Sequence, residues 1–222
     1  FFYPLQGIHH FLYTPIPMFL EYGAVISTIA VELVVTTVIV NFHFTLQGRE
    51  STLITNLPIR WFFTGMVFYI TTCFQCALQV TLTFQKLFHF TDWVVGHAHL
   101  VMFGVFSLWL FGVMTYLFPR LLGREWHSKA LLEWHYWLSA VGVFTMFFDL
   151  MIAGVFQGYF WSSLQPWDAS IDASQGFWQV RAFAGLAMFG GLLCFLYNLW
   201  MTARSASALA EPRPSPTALP AI

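Results

Sequence analysis

The chain has 222 residues, of which 58% are hydrophobic and only 9% are charged. A soluble domain carries about 25% charged residues, so this chain lacks the exterior that a water-soluble core of its size requires. A formal net charge of -1 gives no basis for a nucleic-acid partner, and three cysteines, Cys73, Cys76 and Cys194, do not make a disulfide scaffold.

A membrane-spanning helix needs about 20 consecutive apolar residues, and five segments meet that length. They run from about 19 to 42, 58 to 80, 93 to 118, 130 to 156 and 176 to 201. The first is rich in β-branched residues (Val34, Val35, Val38, Ile39, Val40). In water that composition favours a strand, but lipid requires every backbone group to be satisfied within the segment, which favours a helix. The expected fold class is therefore all-α, a polytopic transmembrane bundle. Polar connectors are expected at 46–50 and 122–129, with the longest at 162–174. The tail at 205–222 holds Pro212, Pro214, Pro216 and Pro220 and reads as disordered, leaving 1–204 as the membrane region. The opening residues show neither an initiator methionine nor a cleavable signal-peptide pattern, and the chain reads as part of a longer one.

Arg49 and Arg60 flank the first connector, Arg120, Arg124 and Lys129 the third, and Arg204 and Arg213 follow the last span. The positive-inside rule puts these on the cytoplasmic side of a cell membrane. His9, His10 and His89 then lie toward the opposite side. Trp126, Trp134, Trp161, Trp167 and Trp178 fit interfacial anchors.

The chemistry concentrates in the third span, at Trp93-Val94-Val95-Gly96-His97-Ala98-His99. Each helical residue turns by about 100°, so His97 and His99 point to nearly opposite sides and cannot share one mononuclear site. They can hold two centres, one on each side. Haem is the economical partner, since neutral imidazole is a normal axial ligand. Gly96 and Gly104 offer close approach either to a flat macrocycle or to a packed helix. A second pair, His9-His10, can reach one metal beside a helix end, and imidazole suits copper, iron or zinc. Asp92 opens the third span, where a carboxylate also serves as a helix cap. Arg181, at the start of the last span, is the best placed cation for haem propionates. Cys73 and Cys76, one turn apart, read as packing residues. Lys86 reads as interfacial.

The block His89-Phe90-Thr91-Asp92-Trp93-Val94-Val95-Gly96-His97-Ala98-His99, together with Tyr3 and His9-His10, resembles subunit I of the haem–copper oxidase superfamily, most nearly the cbb-type cytochrome c oxidase. The likeness continues through Phe118-Pro119-Arg120-Leu121, His127-Ser128, His135-Tyr136-Trp137, Val180-Arg181-Ala182 and Tyr197-Asn198-Leu199-Trp200. The resemblance implies two haems b, high-spin at His97 and low-spin at His99. It implies a copper B ion with His9 and His10 as two of its three ligands, and a redox-active Tyr3. His89 and Asp92 match residues near the propionates and a bound divalent cation, calcium being the candidate. The third copper ligand and the second low-spin ligand belong to the amino-terminal half of that subunit, an expected partner beside membrane-bound cytochrome c subunits. The implied reaction is reduction of dioxygen to water with proton translocation in the cytoplasmic membrane.

Two positions depart from the family pattern. Gln75 stands where the family carries a glutamate tied to proton delivery or local structure, and an amide cannot titrate. Glu32, inside the first span, has no counterpart in that pattern; a displaced proton relay and a hydrogen-bonded structural acid both fit it. The rival reading is a nitric oxide reductase, with non-haem iron in place of copper and without the tyrosine. A transporter or a structural membrane subunit is the reading of a different class.

Overall fold

A computed structural model describes residues 3–205, with the backbone alone at Tyr3. The 206–222 part of the expected disordered tail lies outside the described residues. Among these residues every regular element is helical. A short α1 (Tyr3–Gln6) and a 3₁₀ turn (Gly7–Phe11) lead into α2 (Met18–Leu46). The small α3 (Thr52–Thr55) precedes α4 (Leu57–Gln79), and α5 (Leu82–Phe88) precedes α6 (Asp92–His99). A π-helical stretch (Leu100–Ser107) joins α6 to α7 (Leu108–Leu122), and α8 (Lys129–Ser162) and α9 (Trp167–Arg204) complete the chain. Five of the resulting rods, counting Asp92–Leu122 as one, are long and apolar enough to cross a bilayer. The five expected spans are all present.

Their ends differ from the sequence-based expectation in ways the packing explains. Pro119 does not stop the third span. It sits inside α7, which runs on to Leu122 and ends where Gly123 turns left-handed at φ 61°. The expected long connector at 162–174 is only four residues of non-helix, 163–166. The helix begins at Trp167 because its polar residues find partners across the gap: Gln157 Nε2 donates to Ser174 Oγ at 3.0 Å and Trp161 Nε1 to Ser170 Oγ at 3.1 Å. Arg181 consequently lies well inside α9, not at its start.

α8 is the central element, with 56% of its most apolar window buried against 22% for α2. It packs antiparallel to α9 along most of its length. A Cβ on Gly142 would meet the Ala184 carbonyl at 3.1 Å, and one on Gly191 would meet the His135 carbonyl at 3.2 Å. On its other side α8 meets α6. A Cβ on Gly154 would collide with the Trp93 backbone, and one on Gly96 would lie 3.0 Å from Leu150 Cβ. Gly104 is closed in the same way by Leu100 and Phe68. Both Gly96 and Gly104 thus serve helix packing, and the space beside them is filled by protein. The main core gathers Trp61, Phe68, Leu100, Leu108, Val143, Phe147 and Leu150 from α4, the third span and α8.

Candidate metal and haem centre

Helical winding sends His97 and His99 to opposite sides, as the spacing requires. His97 is buried, only 7% exposed, with its ring against Gln75 and Cys76 of α4, whereas His99 is exposed on the outside of the described residues. Each imidazole is fixed through Nδ1. His99 Nδ1 lies 2.8 Å from the Val95 carbonyl, which can only accept, so Nδ1 carries the proton. His9 Nδ1 lies 3.0 Å from Thr28 Oγ1, and that hydroxyl already donates to the Ala24 carbonyl at 2.7 Å. Here too Nδ1 must be the donor. His97 Nδ1 lies 2.9 Å from Gln75 Oε1, whose amide nitrogen points 2.8 Å away at Met151 Sδ.

In all three rings the proton on Nδ1 leaves the Nε2 lone pair as the base. That is the tautomer a metal takes, with an outer partner orienting the ring. His97 Nε2 faces the Cys76 thiol at 3.3 Å, a weak donor that competes little with a metal. The His9 and His10 rings are neighbours, with centroids 4.4 Å apart and planes tilted by 59°. Burial first and the neighbouring His10 second push the His9 pKa down to about 4, so the ring is neutral and ligation-competent at neutral pH. His89, whose Nδ1 lies 2.6 Å from Gln85 Oε1, is lowered by the same two causes in the same order. Among the described residues, no group of three or more His, Cys, Asp or Glu converges on one point. The residues present therefore fit metal ligation one imidazole at a time, or through the His9–His10 pair.

Asp92 is not the cap of α6. Thr91 caps it, its hydroxyl accepting from Trp93 N at 3.3 Å. The Asp92 carboxylate is a buried junction instead: its Oδ2 accepts from Gln157 Nε2 and from Trp178 Nε1, both at 2.7 Å. Gln157 closes the ring by accepting from Asp92 N at 2.7 Å. His89 lines an open depression of about 670 Å³ with Tyr13, Gln85, Lys86 and Phe90. Glu32 is half-buried on α2 and lies near enough to α4 to act electrostatically on Tyr69, Cys73 and Cys76, the last of which touches His97. The Tyr3 side chain lies outside the described residues. Cys73, Cys76 and Cys194 are free thiols.

The sequence reading passed over Thr28, Gln157 and Asp149, and it took Cys76 for a packing residue and Trp178 for an interfacial anchor where the structure sets them against His97 and Asp92. Of the three passed over only Asp149 carried a signal, a lone carboxylate inside an apolar run. The others become partners only through tertiary packing.

Against known proteins, residues 1–187 match the family described as cytochrome C and quinol oxidase polypeptide I. Cbb3-type cytochrome c oxidase subunit CcoN1 of Stutzerimonas stutzeri is 27% identical over 212 residues, covering 92% of this chain and 45% of that protein. A cytochrome c oxidase subunit 1 homolog of Agrobacterium tumefaciens is 28% identical, over 91% of this chain and 39% of its own length. A nitric oxide reductase subunit of Stutzerimonas stutzeri is 25% identical over 56% of this chain and 28% of its own length. In fold, a heme-copper terminal oxidase dimer solved by cryo-electron microscopy superposes with a TM-score of 0.73 at 20% identity, over 95% of this chain and 41% of that one. The chain thus spans less than half the length of these relatives. Five apolar spans, opposed histidines on the third and a family match over most of the residues agree: this integral membrane chain belongs to the cytochrome c and quinol oxidase polypeptide I family.

Proposed function

We propose that this chain is the part of a respiratory terminal oxidase that holds one axial ligand for each of two haems and two of the copper ligands, in an enzyme reducing dioxygen to water. The observation that supports it most is the shared tautomer of His9, His97 and His99. Each ring gives Nδ1–H to an acceptor and keeps Nε2 free. His97 would hold the high-spin haem, His99 the low-spin haem, and His9 with His10 the copper, completed by the remainder of the subunit. When bound, these groups supply the electron transfer and oxygen chemistry.

The chain's own residues do the positioning. Val95 O, Thr28 and Gln75 hold each ring in one tautomer. α4 covers His97 through Gln75 and Cys76 and keeps the ring buried. His89 and Arg181 supply positive or protonatable groups for propionates. Tyr3 is proposed to hold a transferable proton beside the copper ligands. Proton translocation belongs to the same proposal, with each charge moved worth about 2.3 kcal/mol per 100 mV.

Metal analysis and optical spectra of the intact complex test this. Copper at half the haem content, and loss of the low-spin bands alone in His99→Ala, are the expected results. Non-haem iron without copper would assign the chain to nitric oxide reduction, the alternative that the weaker reductase similarity supports. Absence of any haem band would end both readings. For Tyr3→Phe, both haems stay bound while oxygen turnover is lost; full turnover removes Tyr3 from the mechanism.

A further inference from the structure

The histidines of the centre are not held alike. His9, His97 and His99 each give a ring N–H to an acceptor. Among the described residues no hydrogen bond holds the His10 ring, which is exposed beside His9. A ring without a bond of its own takes its direction from the backbone that carries it. For His10 that backbone is the 3₁₀ turn Gly7–Phe11, so whatever fixes the turn fixes the ring.

The exit of this turn is built with care for one conformation. Residues 11–14 close a type II turn: Leu12 has φ -55° and ψ 140°, Tyr13 has φ 62°, and Thr14 N donates to Phe11 O at 3.0 Å. The third position of such a turn favours glycine, because φ is positive there. A tyrosine in its place is uncommon and persists only where its surroundings impose it. Here two bonds do so. Tyr13 N donates to Glu21 Oε1 at 3.0 Å, and the Tyr13 hydroxyl donates to Leu82 O at 2.5 Å. Glu21 lies in the first turn of α2 and is 7% exposed, a burial that a carboxyl group tolerates only with a partner. Leu82 opens α5. Leu12, between the turn and the clasp, is fully buried against Ala24 and Val80. The Thr14 hydroxyl returns to Phe11 O at 2.5 Å, and Pro15 and Pro17 stiffen the link to α2. A shift at Tyr13 therefore passes to Phe11 and His10.

We propose that Tyr13 and Glu21 form a clasp that positions His10 for the metal it shares with His9, with Glu21 holding the Tyr13 amide and the Tyr13 hydroxyl tying the turn to α5. The inference rests on the oxidase reading above, which supplies the copper. Both are positioning residues and act through the backbone, doing for the second copper ligand what Thr28 does for the first. A merely structural clasp would change how much complex assembles and leave the copper environment of the assembled fraction as it is.

The test is X-ray absorption at the copper edge of the intact complex, which counts imidazole ligands, with chelator titration of copper and haem content read optically. In Glu21→Ala the expected result is one imidazole fewer on copper and copper released about 10–100-fold more readily, with haem retained. Glu21→Gln keeps an oxygen acceptor for the Tyr13 amide and is expected to match wild type. Tyr13→Phe, at a residue 46% exposed, removes only the tie to Leu82. Its copper is expected to leave more readily than that of wild type, and it carries the test if Glu21→Ala does not assemble. Wild-type copper coordination and retention in haem-replete Glu21→Ala, or in Tyr13→Phe where that variant alone assembles, overturns the proposal alone. So does a Glu21→Gln complex as impaired as Glu21→Ala, since the acceptor would then not be what matters. A wild-type complex with haem and no copper overturns the oxidase reading and this proposal together.

Discussion

An imidazole binds a metal only through a nitrogen without a proton, so the acceptor at Nδ1 decides as much as the ring. The histidines were legible in the sequence because their type and two-residue spacing fix opposed directions on any helix. Their acceptors were not, apart from the local carbonyl of Val95. Thr28 is 19 residues from His9 and Gln75 is 22 from His97, and only folding brings them together. Gln75, read as a lost glutamate, keeps the hydrogen-bonding half of a carboxylate's work by accepting from His97. Thr28 is the sharper test because it is fully buried and a valine is its isostere. Thr28→Val removes the acceptor and frees the His9 ring to flip. Loss of an outer partner of this kind costs about 10–100-fold in metal affinity. Chelator titration of the assembled complex is expected to show copper released that much more readily; unchanged retention would mean that Thr28 does not orient His9.

Periodicity and length were enough to place the five rods, since lipid leaves the backbone few alternatives. They could not place the ends. α9 extends two turns beyond its apolar stretch because Ser170 and Ser174 are satisfied by Trp161 and Gln157 of α8, an interaction between elements that no local pattern encodes. The wide turns of Leu100–Ser107 were equally hidden: Ser107 Oγ bonds the carbonyl five residues back, at Met102, 3.0 Å away. The tightest joint in the bundle is Gly154 on the Trp93 backbone. Backbone cannot rotate aside, so Gly154→Ala forces α6 and α8 apart, and overpacking of this kind costs about 1–3 kcal/mol. Gly185 is the control, because a Cβ there has ordinary room, 3.7 Å from Met146 Cε. In detergent, Gly154→Ala should lower the thermal midpoint, while Gly185→Ala leaves it unchanged or raises it, alanine favouring a helix by about 1 kcal/mol over glycine. Equal midpoints for the two variants would show that the joint yields.

As a whole the molecule is one bundle around α8, and its crossing number fixes which connectors share a side. Three spans separate Ser51 from Ser163, so the two connectors face opposite aqueous phases. The native cysteines all lie within α4 and α9. Ser51→Cys and Ser163→Cys can therefore be probed singly with a membrane-impermeant thiol reagent. Labelling of Ser51→Cys from the cytoplasmic face and of Ser163→Cys from the other is expected from Arg49, Arg120 and Arg124; labelling of both from one face contradicts the five-span arrangement. The charge count supplies this orientation as an expectation, and the labelling tests it. What it could not show is how unevenly these residues close around the third rod, with His97 set against α4 while His99 looks outward. That asymmetry gives the two rings unequal reach within these residues: an imidazole-modifying reagent meets the outer ring first, and the inner one only where α4 gives way.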